Sequence, residues 1–251
     1  MTRYTDEREF MKSSFHKQAG ESDYKKGMKD PGFCKEEETG RRVVLGEIYT
    51  GDKQERSFVD IVLGRRSHRL FEQETLKKND LSYLLTLTQR IQKVHPSGRM
   101  CYSPSACSGG RHTYETYLIV QDVEDLQQGV YRYDSMSHEL VLLEERSDTK
   151  ERLKEATLKY SFVANAPVVF VWACLPYRGE WMYAERSHKP MLLDAGHICQ
   201  ALYLAAESIG LGCCAVAAYH QERMDELIGV DGEEEFSVYI CPVGRPKPSS
   251  K

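Results

Sequence analysis

No stretch of the 251 residues approaches the roughly 18–20 consecutive apolar positions that a membrane helix needs, so no membrane partner is expected. The opening MTRYTDEREFMKSS is charged and lacks the apolar core of a signal peptide, which makes the cytoplasm the expected compartment. A basic block is also missing. The 34 Lys and Arg face 38 Asp and Glu, a formal net charge of −4, and this speaks against a nucleic-acid binder. The eight cysteines contain no C-x-x-C pair, which removes zinc ribbons and thioredoxin-like motifs. Free thiols are expected, several of them in the core, as in VWACL and YICPV. No G-x-G-x-x-G joins a strand to a helix, and there is no P-loop, no H-E-x-x-H and no G-x-S-x-G. Rossmann, ATPase and hydrolase readings therefore lack their residues, and no metal site is expected. No internal repeat or low-complexity segment occurs.

What is present is ordinary for a folded protein: 41% hydrophobic and 29% charged residues, too apolar for a disordered chain. The organisation is uneven, however. Of the first 56 residues 24 are charged, with little apolar periodicity, so 1–56 reads as an extension with little core of its own. Composition favours a disordered arm over one that wraps a neighbouring subunit. Residues 57–251 read as one domain.

Within that domain, Phe58, Ile61 and Val62 sit at helical spacing and stop at Gly64. Asn79 or Asp80 is placed to cap a helix carrying Leu81, Leu84, Leu85, Leu87 and Ile91. A Pro/Ser/Gly loop spans His95 to His112. Strands are expected at ETYLIV (115–120), GVYRYD (129–134) and HELVLLE (138–144), the last two as a hairpin. Residues 148–158 read as a helix and the continuous apolar 166–175 as a strand buried on both faces. Pro190 opens a long helix ending near Gly210 or Gly212. CCAVAAY reads as another buried strand, 221–229 as a short helix and EFSVYICPVG as the last strand. The mixture is α+β around a central sheet.

Two cationic clusters stand out. Arg65-Arg66-Ser67-His68-Arg69 places guanidinium forks and a hydroxyl where a phosphate would be bound in bidentate fashion, and Arg245-Pro246-Lys247 follows the last strand. They form one anion clamp if the fold brings them together; otherwise they are solvated charge runs. The small-residue loop Pro104–Gly110 and the apolar Gly210–Ala218 suit close approach to a flat ligand, or equally a surface loop and a packed strand. His197, with Asp194 and Gln200 three residues to either side, reads as a structural histidine hydrogen-bonded in the core.

The motifs RRSHRLF, SPSA…GGRHTYETYLIV, GVYRYD…HELVLL, LLDAGHICQALYLAAESIGLGCCAVAAY and DGEEEFSVYICPVG together resemble the SagB-type (thiazole/oxazole-oxidase-like) dehydrogenase branch of the FMN-dependent nitroreductase superfamily. The opening EFMKSSF…ESDYKKGM is similar to stand-alone members of that branch. The resemblance implies a three-layer α/β/α sandwich with a mostly antiparallel central sheet, an intertwined homodimer and FMN at its interface. It assigns Arg65, Ser67 and Arg69, with Arg66 less directly, to the cofactor, and Arg245 and Lys247 to its phosphate. Pro104, Ser105 and Ala106 would come from the partner subunit to border the ring, and the amides of Ala217 and Ala218 would face the ring edge. The implied function is hydride transfer on a small-molecule or peptide substrate, with NAD(P)H as a candidate electron donor.

The chain departs from the branch where a Lys-Tyr pair precedes the long helix: Met182 replaces the lysine, leaving Tyr183, with Lys189 nearby, as the catalytic candidates. Gln200-Ala201 stands where Gln-Asn is usual, and Cys107-Ser108 lengthen the Pro-Ser-Ala loop. No peptide-recognition domain accompanies these motifs, so a separate protein would present any peptide. These departures sustain a second reading, a catalytically impaired flavin-binding scaffold docked to a biosynthetic partner.

Overall fold

A computed structural model describes residues 8, 10–12, 20–35, 39–46, 56–158 and 160–248. β1 (Arg41–Val44) precedes the helices α1 (Phe58–Gly64) and α2 (Lys78–Thr88). A short ribbon, β2 (Lys93–Val94) and β3 (Cys101–Tyr102), leads into β4 (Tyr114–Val120), β5 (Gly129–Asp134) and β6 (Glu139–Glu145). Then come α3 (Thr149–Ala156), α4 (Ser161–Ala164), β7 (Val168–Cys174) and α5 (Tyr177–Tyr183). The long α6 (His188–Ser208), β8 (Gly212–Cys213), α7 (Gln221–Ile228) and β9 (Phe236–Gly244) complete the order.

Seven strands form one sheet in the order β1-β6-β5-β4-β7-β9-β8, and each ladder is antiparallel. Period-two alternation explains why β7 reads as an unbroken apolar run. Val168, Phe170, Trp172 and Cys174 face one layer with α2 and α6, while Val169, Val171 and Ala173 face the opposite layer with α3, α4 and α7. All seven β7 residues are buried because both faces are covered. The α/β/α arrangement with a mostly antiparallel sheet is therefore observed.

The differences from expectation are local. The α2 helix starts at Lys78 rather than after an Asn79 or Asp80 cap, because the Lys78 amide donates to the Glu124 carboxylate (3.3 Å) from the β4–β5 turn. Ile91 lies beyond that helix, its amide bonded to the Ser135 carbonyl (2.9 Å). CCAVAAY contributes only the end of β8, whose Cys213 also bridges Ser67, and an isolated bridge from Val216 to Ile240, since the Tyr203 hydroxyl takes the Ala215 amide (2.9 Å). The chain then peels away, leaving Ala217 and Ala218 exposed.

Composition also hides order within 1–56. β1 extends the sheet along β6, and Leu45 is buried in the main core. Arg111, with no side-chain exposure, pairs with Asp30 at 2.7 Å, and the Trp181 indole donates to the Met28 carbonyl (3.1 Å). Charge-rich segments order when the body of the protein supplies buried counter-charges, which a residue count does not register. Residues 13–19, 36–38 and 47–55 of the arm lie outside the described residues. Among the described residues no helix is long and apolar enough to cross a membrane, and no group of His, Cys, Asp and Glu is arranged to hold a metal ion.

Candidate functional site

The chain leads from the first cationic cluster to the second. After α1 the chain runs along the β8 edge, where the His68 amide donates to the Cys213 carbonyl (2.9 Å) and Ser67 bridges Cys213. Farther on, the Glu72 amide donates to the Arg245 carbonyl (2.8 Å) and the Lys247 amide to the Leu70 carbonyl (2.9 Å). Residues 70–72 thus lie beside 245–247, and 67–68 beside Cys213 along the same sheet edge. Ser67, Arg69, Arg245 and Lys247 are exposed there. Arg245 is tethered to Glu74 (2.6 Å). Arg66 turns back instead and donates to the Leu63 and Arg65 carbonyls (2.8 Å each), closing the end of α1.

Tyr203 of α6 organises this face, a role no motif in the sequence signals. Its hydroxyl lies 3.0 Å from Ser67 Oγ and accepts the Ala215 amide, and the Arg65 guanidinium sits 5.2 Å from its ring centre. Burial pushes the Tyr203 hydroxyl up to about 12, so it serves as a neutral hydrogen-bonding hub. Beside it, the Ala217 and Ala218 amides make no hydrogen bond among the described residues. Unbonded amides in an exposed segment, near a guanidinium cluster, suit a planar, acceptor-rich anion.

Pro104, Ser105 and Ala106 belong to a second group, nearer the start of α6. The Ala106 carbonyl faces His197 Nδ1 at 3.2 Å. Buried Asp194 accepts from the Ser108 amide (2.8 Å) and Ser108 Oγ (3.0 Å), fixing the lengthened loop. Burial raises the Asp194 carboxyl above the ordinary carboxylate range despite those donors. Tyr183 lies over Gly109, whose positive φ (+64°) and missing Cβ make room for the phenol ring. Tyr183, Gly109, Asp194 and Met191 line a cavity of about 150 Å³. His197 is not the core histidine expected: its side chain is 53% exposed, because the loop rather than the sheet covers that turn of α6. Lys189 is not among the residues lining that cavity; its amine donates to the Met11 carbonyl (2.5 Å).

Both groups therefore stand on α6, at Asp194–His197 and at Tyr203. His197 and Tyr203 are six residues apart, roughly 9 Å of helix.

Similarity to other proteins agrees with this fold. The Methanocaldococcus jannaschii protein MJ1384, which carries a nitroreductase name, is 30% identical over 200 residues, covering 79% of this chain and 96% of that protein. The trifolitoxin-processing protein TfxB of Rhizobium leguminosarum bv. trifolii is 27% identical over 169 residues, covering 65% of this chain and 43% of that one. Among solved structures, an Anabaena variabilis protein described as a nitroreductase superposes with a TM-score of 0.70 at 23% identity, covering 83% of this chain and 42% of that chain. The chain thus spans less than half the length of the last two. The nitroreductase family pattern itself matches residues 62–245, from the end of α1 to the arginine after β9, and the chain belongs to the nitroreductase family.

Proposed function

We propose that this protein is an FMN-dependent oxidoreductase of the SagB type that works as a cytoplasmic homodimer. Proteins of the nitroreductase family generally bind flavin and use NAD(P)H. FMN, when bound, supplies hydride transfer at its N5. The observation that carries the reading is that the stretch from Ser67 to Glu72 joins first Cys213 and then residues 245–247, near the unbonded Ala217 and Ala218 amides. Arg65, Ser67, Arg69, Arg245 and Lys247 bind the phosphate and sugar-like chain, and the two amides donate to the ring. Positive charge and aligned donors there favour the reduced, anionic cofactor.

Pro104, Ser105 and Ala106 stand with Tyr183 in the other group on α6, so in this reading a second copy presents them to the ring. Tyr183 then holds or delivers a proton at its hydroxyl, and Lys189 supports it only by leaving the Met11 carbonyl. The substrate is a peptide heterocycle or a small electron-poor acceptor. TfxB, named for processing trifolitoxin, supports the first, and Met182 in place of a basic residue favours the second.

The test is a visible spectrum of the purified protein, with FMN identified after denaturation. Arg65→Ala combined with Arg69→Ala removes two charged donors and weakens FMN binding at least about a hundredfold. Full retention of FMN in that variant overturns the site. Anaerobic bleaching by NADH or NADPH identifies a reductase, and no bleaching identifies a substrate-driven dehydrogenase. Tyr183→Phe slows turnover about a hundredfold at unchanged flavin content, and a wild-type rate removes its role. A protein that holds FMN but turns over no acceptor leaves the flavin-binding scaffold reading, and one that takes up no FMN removes both.

A further inference from the structure

A larger cavity, about 410 Å³, adjoins the Tyr183 cavity through Met191, where the ends of β7 and β9 meet the first turns of α5 and α6. That volume is in the range of small-molecule sites. Its floor is apolar, formed by Met191 and Leu192 of α6 and by Phe236 and Val238 of β9. Its rim is acidic. Glu180 of α5 and the exposed Glu233 and Glu234 stand there against one imidazole, His188, which lies 2.7 Å from Glu180. An adjoining hollow shares Glu180 and His188 and adds Glu21, Asp23 and Glu185. Lysines of this region are engaged: Lys26 with Asp23 (3.0 Å), Lys35 with Glu235 (2.6 Å) and Lys189 with the Met11 carbonyl.

The chain itself occupies part of the apolar floor: Phe10 forms one wall of the cavity. An aromatic group already rests against this surface. Apolar contact holds the body of such a group, and the carboxylates favour its cation while repelling an anion.

We propose that this cavity binds an organic cation, its aromatic or aliphatic body on Met191, Leu192, Phe236 and Val238 and its protonated amine among Glu180, Glu233 and Glu234. The site does not depend on the flavin reading. Phe10 lies against it, so the arm and the ligand share one surface.

Calorimetric titration of the full-length protein at pH 7 with phenethylamine, 2-phenylethanol and 3-phenylpropionate tests this. The amine binds at least about tenfold more tightly than the alcohol, and the carboxylate more weakly than both. Glu180→Gln with Glu234→Gln brings the amine to the level of the alcohol and leaves the alcohol unchanged. Leu192→Trp, at a side chain 48% exposed and so tolerant of size, fills the cavity and abolishes binding of both. Equal affinities for amine and alcohol, amine binding unchanged in Leu192→Trp, or no heat from the amine at millimolar concentration would overturn the proposal.

Discussion

Glu115 lies within β4 with 3% of its surface exposed, 2.7 Å from Arg178 and 3.4 Å from Arg132. Burial by itself would raise its carboxyl, but the two guanidinium groups outweigh that and hold it below the ordinary carboxylate range. Glu115→Gln leaves two buried cations short of their counter-charge, a loss of about 3–5 kcal/mol. At about 2–4 °C per kcal/mol for a chain of this size, Tm falls by roughly ten degrees at pH 7. The sign of the pH effect follows from the lowered folded value. The carboxylate's contribution is complete above the unfolded value of about 4.3 and is lost as pH drops through the folded one. Calorimetry therefore finds the gap between wild type and Glu115→Gln narrowing from pH 7 to pH 3; a constant gap contradicts the ion-pair account. The sequence marks Glu115 only as the first residue of an apolar run. Arg178, 63 positions downstream, is what permits its burial.

The α1 helix poses the opposite problem at the scale of an element. Seven residues are too few for a helix to stand alone in water. Ser57 Oγ accepts the Asp60 amide (3.1 Å), and Arg56 pairs with Glu207 of α6 (2.9 Å). Yet none of its residues is buried, and Phe58 and Leu63 are 71% and 69% exposed. The spacing that makes α1 legible in the sequence does not say which way its apolar side faces; here that side turns from the core, next to the Arg65–Arg69 face. A contiguous apolar surface of this kind marks an interface. In the homodimer reading, a second copy covers it and brings Pro104–Ala106 to the cofactor. Phe58→Glu with Leu63→Glu should sediment as a monomer and lose FMN while keeping its helical circular dichroism. A variant that still sediments as a dimer places the interface elsewhere. The same dependence on distant partners explains the early start of α2 and the short β8, which Glu124 and Tyr203 set from other parts of the chain.

At the scale of the whole molecule, the layers were legible because alternation and helical spacing are local properties of β4 to β7, α6 and β9. The approach of the Arg65–Glu72 stretch to Arg245–Lys247 was legible only as a condition on the fold, and the Asp194 anchor on Ser108 not at all, since 86 residues separate the pair. The arm is the clearest case. Its charge concealed that Arg111, fully buried, directs its donors to Asp30 and to the Arg178, Arg99 and Gly32 carbonyls, with its guanidinium 4.8 Å from the Trp181 ring centre. The arm is thereby tied to the chain around Gly109 and Tyr183, one half of the proposed site. Asp30→Ala removes the carboxylate from a cation that has no access to water. A quarter of the Asp30 side chain still meets solvent, so the loss is about 2 kcal/mol rather than that of a fully buried pair. Tm then falls by roughly 4–8 °C, and trypsin cuts faster at Lys25, Lys26 and Lys29 as the arm opens. Asp30→Asn keeps an acceptor and lies between. Wild-type melting and cleavage in Asp30→Ala would show that Met28, Leu45 and β1 alone hold the arm, and Tyr183 would then be positioned without it.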